Sequence, residues 1–520
     1  MKKYFSFFLF ALFFLSVQAQ VDPSVKYAEM ITAADLRAHL TILASDFYEG
    51  RETATKGQTL AADYISKQFK NAGIPSLPKL NGYYQNYPII KVGWQPSTIA
   101  GKKEVFTLLQ DFYGFAMANN SFSGSADEIV FLGYGIDDSL YSDYRGMDVK
   151  DKVVMVAFGE PVRDGKSLIT GTEKMSDWSK DWRKKVNAAT EHGARCILVV
   201  QDNVADIIAD KQWHAFLTGT ILKIKSEYQP AAYCPNFFIS TEMAKSLLGK
   251  KNKMLQRSVD NINRDFVSWG FTAKTTIVFN IQKLEQPVSA QNVLGYVEGS
   301  DLKDQLIIVS AHYDHLGKND TAVFNGADDD GSGTVALIEM ATALMKAKAN
   351  GDGPRRSVLF LAFSGEEKGL LGSKSYVADP VFPLDMTVAD LNIDMIGRID
   401  EKHAEDTAYV YIIGSDFLST ELHRINEAAA KNYSSLKLDY TFNSTTDPNR
   451  FYYRSDHYNF AKNNIPVIFY FNGTHADYHQ TTDDVDKIHF ELMAERAQLV
   501  FHTLWMLANQ DNRIKVDVTQ

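Results

Sequence analysis

In the second half of the chain, nearly every short apolar run ends on a histidine or a carboxylate. Residues 306–311 lead into His312-Tyr313-Asp314-His315, and 357–363 into Gly365-Glu366-Glu367. Residues 391–395 carry Asp394, and 467–471 precede Tyr478-His479-Gln480. Between the first two runs, Asp328-Asp329-Asp330 opens a strong helical pattern over 334–347. Continuous apolar runs of this length are what strands buried on both faces look like. Further strands are predicted at 409–413, with helices at 418–430 and 490–508. Strands alternating with helices predict an α/β fold, a mostly parallel central sheet with helices on both faces. Ligands of such sheets bind beyond the carboxyl ends of the strands, so the polar residues are expected on one rim.

Singly, these signals have plain structural explanations. A histidine at a strand end usually satisfies a hydrogen bond, Asp-rich turns usually cap helices, and adjacent glutamates usually face solvent. Their coincidence needs another account, because converging carboxylates and imidazoles repel or are desolvated without a counter-charge. Divalent cations supply it, and mixed His and carboxylate donors suit zinc better than magnesium or calcium. A two-metal hydrolase needs a bridging carboxylate, further ligands for each ion, and a carboxylate left free to take a proton from water. The pair Glu366-Glu367 fits the last two needs. Asp314 is a candidate for a supporting role beside His312, and spacing does not say which group it supports.

The segments SAHYDHLG, NGADDDGSGT, AFSGEEKGLLGS, NIDMIGR and DYHQTTDD occur in this order. They resemble the metal-site motifs of metallopeptidase family 28, which includes aminopeptidases and glutamate carboxypeptidases. The match runs from about Asn292 to the C-terminus, and the helices from about Ile31 resemble larger members. The resemblance implies two Zn2+ ions, one held by His312, Asp329 and Asp394, the other by Glu367 and His479, with Asp329 bridging. Glu366 would be the general base, Asp314 would tune the site, and Tyr478 would hydrogen-bond the developing oxyanion. It implies an aminopeptidase acting on peptides with a free N-terminus. A carboxypeptidase or dipeptidase shares the ligand set and would need a basic residue for a substrate carboxylate, with Arg398 and Arg454 as candidates. A glutaminyl cyclase-like transferase and a catalytically silent binding protein are the remaining alternatives; the full bridged ligand set weighs against both. His315 and His475 are candidates for supporting roles.

At 520 residues the chain is too long for one ordinary core. The expected organisation is a leader over 1–19, an N-terminal part of the peptidase domain over 20–120, a β-rich insertion over 121–276, and the catalytic domain over 277–520. The insertion, with VFLGYGI and MDVKDKVVMVAFGEP, resembles a protease-associated domain. Its expected elements are strands at 128–131, 153–158 and 196–201 and a helix at 182–192. The N-terminal part should carry helices at 34–43 and 57–72 and a loop over 74–87.

Lys2, Lys3, the apolar run 5–15 and Val17-Gln18-Ala19 read as a signal peptide cut after Ala19. The chain is therefore expected to be exported, to the periplasm or the medium. A retained anchor is the rival, but the run is shorter than the ~20 apolar residues of a spanning helix. Removing the leader leaves 52 basic against 64 acidic residues. A chain that acidic is a poor partner for nucleic acid or an anionic membrane. Cys196 and Cys234 could pair or stay free, and neither has a metal-like spacing. The preferred N-terminal residue and the oligomeric state are not encoded in any motif.

Overall fold

The structure is a computed structural model that describes residues 22–80 and 82–518. The expected leader lies outside the described residues. Among those described, no helix is long and apolar enough to cross a membrane. The chain divides into two compact units, one formed by Met1–Tyr87 with Ala290–Gln520 and the other by Pro88–Ser289.

The first unit carries α1 (Pro23–Ala28), α2 (Ala33–Leu43), α3 (Lys56–Asn71), the part from Ala290 of β1 (Lys283–Val297), β2 (Leu302–His312), α4 (Gly333–Ala349), β3 (Arg356–Phe363) and α5 (Leu371–Ala378). It continues with β4 (Thr387–Ile393), β5 (Tyr409–Ile413), α6 (Thr420–Tyr433), β6 (Lys437–Asp439), α7 (His457–Ala461), β7 (Val467–Phe471) and α8 (Phe490–Asn509). These strands lie in the order β1-β3-β2-β4-β7-β5-β6. The central four, β3, β2, β4 and β7, are parallel, whereas β1 and β5 join antiparallel.

Alternate side chains of β2 and β3 enter different cores, since successive residues of a strand point to opposite faces. Ile307, Val309 and Ala311 join Val358, Phe360 and Ala362 under α2, α3, α4, α6 and α8. Leu306 and Ile308 join Leu359, Leu361 and Phe363 with Tyr376 of α5 and Phe460 of α7. The α/β sheet with helices on both faces is the one the alternation predicts. Burial on both faces leaves only the strand ends open, so function concentrates on the carboxyl rim.

The second unit is wider than the expected 121–276, because strands Thr98–Ala100 and Phe112–Tyr113 pair with Phe271–Ile281 and Asn236–Ile239 inside it. It is not simply β-rich. Its eight-stranded sheet has a parallel centre, Phe122–Phe131, Val153–Ala157, Cys196–Val200 and Asn236–Ile239, accompanied by helices such as Trp182–Glu191, Thr241–Leu248 and Asn252–Asp265. The loop expected over 74–87 gives way to a strand from Tyr84. Cys196 and Cys234 are both free thiols.

Candidate metal centre

Each expected site residue stands on the carboxyl rim of the first unit. His312 ends β2, Glu366 and Glu367 follow β3, Asp394 follows β4, Tyr478 and His479 follow β7, and Asp329 sits in the turn before α4.

Hydrogen bonding separates the three consecutive aspartates. Asp330 turns inward, accepting from the backbone N–H groups of Gly333 and Met395 on one oxygen and of His312 on the other, at 2.9, 3.0 and 3.2 Å. Asp328 accepts from Gly397 N–H at 2.6 Å and faces His475 at 3.2 Å. Asp483 in turn holds the N–H groups of Asp328 and Asp329 at 3.0 and 3.1 Å. Only the middle aspartate presents both oxygens to the cavity. Asp329 Oδ1 lies 3.3 Å from His312 Nε2, and Oδ2 lies 3.1 Å from His479 Nε2. Asp394 Oδ1 stands 3.6 Å from His312, and Glu367 Oε2 stands 3.3 Å from His479. Asp329 thus divides its two oxygens between two imidazoles from different loops, as a bridging ligand must.

The donors fit cations rather than one another. Asp329 Oδ2, Glu367 Oε1 and both nitrogens of His315 are buried with no hydrogen-bond partner. His315, Asp329 and Glu367 also offer donor atoms within 4.8 Å of one another, as do His312, Asp329 and Asp394. Ligands about 2.0–2.2 Å from one zinc at tetrahedral angles lie roughly 3.3 Å apart. The His479 pairs at 3.1 and 3.3 Å match that spacing, which makes His479 a candidate for the second set as well. Charge agrees with geometry. Burial opposes a proton on His479, yet Asp329 and Glu367 outweigh it and raise the imidazole to about 10. His312 is likewise pushed well above its usual value, against burial, by Asp394, Glu366 and Asp329. A site that favours positive charge this strongly favours metal ions in the same place.

Asp314 supports two groups at once. Its carbonyl oxygen lies 3.1 Å from His312 Nδ1, and its carboxylate accepts from Glu366 N–H at 3.2 Å and from the Thr53 hydroxyl at 2.7 Å. It therefore fixes the imidazole of one candidate ligand and the backbone of the candidate base. Glu366 Oε2 stands 3.9 Å from His312 Nε2, and burial with the Glu367, Asp394 and Asp456 charges pushes its carboxyl well above the ordinary range. Tyr478 accepts a hydrogen bond from Arg454 at 3.1 Å. Burial and the charges of Asp329 and Glu367 raise its phenol, so it keeps its proton as a donor. A small cleft opens on these groups, walled by Met395, Phe451, Phe469 and Phe471, with Arg454 among its lining residues.

Residues 292–504 match the model of peptidase family M28. This segment belongs to that family. Among curated relatives, a probable leucine aminopeptidase of Trichophyton verrucosum is 26% identical over 317 residues, covering 55% of this chain and 79% of its own length. Aminopeptidase YwaD of Bacillus subtilis is 26% identical over 235 residues, and the match spans 44% of this chain and 47% of that protein. The fold is shared with the aminopeptidase of Aneurinibacillus sp. strain AM-1, at 18% identity and a TM-score of 0.51, covering 96% of this chain and 98% of that one. The M28 segment contains all eight residues expected at the site and contributes each to the same rim.

Several supporting residues were given no role from sequence, although Asp330 and Asp483 lie inside the segments NGADDDGSGT and DYHQTTDD. Asp330 and Asp483 act through backbone N–H groups, and Arg51 reaches the site loops from the N-terminal helices. Nothing in their local spacing distinguishes them from capping or surface residues. Arg398, a candidate for a substrate carboxylate, is already engaged by Asp477 at 2.8 Å and Asp483 at 3.6 Å.

His457, at the start of α7, is wholly buried against Phe469, and burial lowers its imidazole from 6.5 to about 3. The folded state therefore takes up fewer protons than the unfolded one between these values. Stability from this group is complete above about 6.5 and is lost as the pH falls towards 3. Relative to the parent, His457→Phe should gain about 2 kcal/mol between pH 7 and pH 5. Urea unfolding at the two pH values checks this, and a constant difference between the proteins would refute it.

Proposed function

We propose that this chain is a zinc-dependent aminopeptidase with two co-catalytic ions. The observation that carries the reading is Asp329, whose two oxygens are shared between His312 and His479 beside a carboxylate, Glu366, poised as a base. His312, Asp329 and Asp394 would hold one zinc; Asp329, Glu367 and His479 would hold the other. When bound, zinc supplies Lewis-acid stabilisation of the negative charge that develops on a scissile carbonyl.

The chain's own groups do the rest. Glu366 accepts the proton of the attacking water at its carboxylate and returns it to the leaving amine. Asp314 keeps that carboxylate in place through the Glu366 N–H. Tyr478 donates its O–H towards the developing oxyanion. The apolar wall of Met395, Phe451, Phe469 and Phe471 suits one large apolar side chain, and the rim carboxylates suit a free α-ammonium group. Export, expected from the first twenty residues, belongs to the same proposal.

Arg454 favours a second reading, a dipeptidase or carboxypeptidase. It lines the cavity, and its guanidinium has no carboxylate within ion-pair distance among the described residues. One panel separates the two. Aminoacyl-4-nitroanilides and their N-acetylated forms are compared with free and amidated dipeptides, with chelator and then with added zinc. Cleavage of the free-amine anilides, best for large apolar residues, lost to chelator and restored by zinc, is expected. In Arg454→Met the anilides should still be cleaved, with rates lowered by about tenfold at most, the worth of the hydrogen bond that Arg454 gives Tyr478. Turnover confined to dipeptides with a free carboxylate, and lost in Arg454→Met, would replace the aminopeptidase reading with the second.

A further inference from the structure

His315 is the buried imidazole that the three-ligand assignment of the second metal leaves without a task. Its ring is fully buried. It is fixed by Gly326, whose φ is +53° and where a Cβ would come within 2.5 Å of the ring. A residue with a side chain at 326 would evict the imidazole, so backbone and ring are fitted to each other. Neither ring nitrogen has a hydrogen-bond partner. A buried polar group left so costs about 1–3 kcal/mol, and two on one ring ask for an explanation.

The surroundings give one. Nδ1 stands 2.8 Å from Glu367 Oε1 and 3.9 Å from Asp329 Oδ2. At 2.8 Å a hydrogen bond would be expected, but the ring meets the oxygen too obliquely to make one. Glu367 Oε1 and Asp329 Oδ2 are orphaned as well. Three buried donor atoms, one each from His315, Glu367 and Asp329, thus lie within 4.8 Å of one another, close enough to share one cation. The 2.8 Å spacing is short for two corners of a tetrahedron, roughly 3.3 Å, and near the ~3.0 Å between ligands at right angles in a five-coordinate zinc site.

We propose that His315 is a direct ligand of the second metal, giving that ion two imidazoles, His315 and His479, with Glu367 and the bridging Asp329. The proposal rests on the two-zinc reading. The first metal has one imidazole, so the two sites differ in donor set and should differ in affinity and spectrum.

The test counts metal and reads its coordination, apart from turnover. Parent, His315→Gln and His315→Phe are dialysed against graded chelator, and zinc is counted by mass spectrometry. The cobalt forms are then compared by visible absorption, in which five-coordinate cobalt absorbs more weakly than four-coordinate. The parent should hold two ions. Both variants should lose one of them at chelator levels the parent withstands, with affinity reduced at least about 100-fold, the upper end of what losing an outer hydrogen-bond partner costs. The other ion should keep its affinity, and the cobalt absorption should strengthen.

Two ions of parental affinity and an unchanged cobalt spectrum in His315→Gln would overturn the ligand role alone. A parent that binds only one zinc would overturn the two-metal reading and the inference with it. The chelated proteins' unfolding midpoints guard against a packing effect: affinity lost in step with a lowered midpoint, with the cobalt spectrum unchanged, also overturns the proposal.

Discussion

Glu366→Gln is expected to leave both zinc ions in place and to lower kcat by about 10²–10⁴, the usual worth of a positioned general base. The substitution keeps the shape of the side chain and removes its ability to take a proton. Its backbone anchor is untouched, because Asp314 holds the Glu366 N–H and not its side chain. The ligand oxygens of Glu367 and Asp394 approach the histidines independently of it. KM should therefore change little while kcat falls. Burial and the carboxylates around it raise Glu366, bound zinc opposes them, and the base gains its active, ionised form as the pH rises. The acid limb of the kcat profile should report it and disappear in the glutamine variant. Metal analysis with steady-state kinetics decides the matter: unchanged turnover with two zincs removes Glu366 as base, and loss of zinc makes it a ligand. Glu367→Gln should behave in the opposite way, losing metal first, since Glu367 Oε2 lies 3.3 Å from His479.

The rim was legible because its chemistry is written in residue type as well as in position. Strands β5 and β7 carry the bounds expected of them, each being an unbroken apolar run. Strand β4 does not: it spans Thr387–Ile393, where 391–395 was expected. Its early part contains Asp390, which reads as a loop residue. That carboxylate is buried in the sheet, where it accepts from the Ser310 hydroxyl at 2.7 Å, a partner eighty residues away in sequence. The insertion was misjudged for a related reason. Strand Phe271–Ile281 alternates buried and exposed residues along its length, and its pairing with Phe122–Phe131 joins segments that local periodicity treats separately. Chemistry-bearing residues announce themselves. Residues that work by holding distant backbone do not.

Arg51 is the strongest instance, and Arg51→Met is expected to destabilise the first unit by about 3–5 kcal/mol, the cost of breaking a buried charge network. The guanidinium is fully buried. It donates to the carbonyl oxygens of Tyr313 at 2.8 Å, Leu43 at 3.3 Å and Gly326 at 2.8 Å, and to that of Asn325. It thereby ties the N-terminal helices to two loops that carry candidate ligands, the one after β2 and the one before α4. Burial works against its charge, and Asp483, Asp329, Asp314 and Asp330 work for it. Methionine fills the space but leaves buried carbonyls unsatisfied and the aspartates without their cation. Unfolding should be measured on chelated protein, because bound metal stabilises the folded state by mass action and would blur the comparison. Metal affinity should fall as well, since the loop that presents Asp329 loses its anchor at Gly326. A loss below about 1 kcal/mol, within the range of an ordinary surface substitution, would mean that the site loops hold their shape without Arg51.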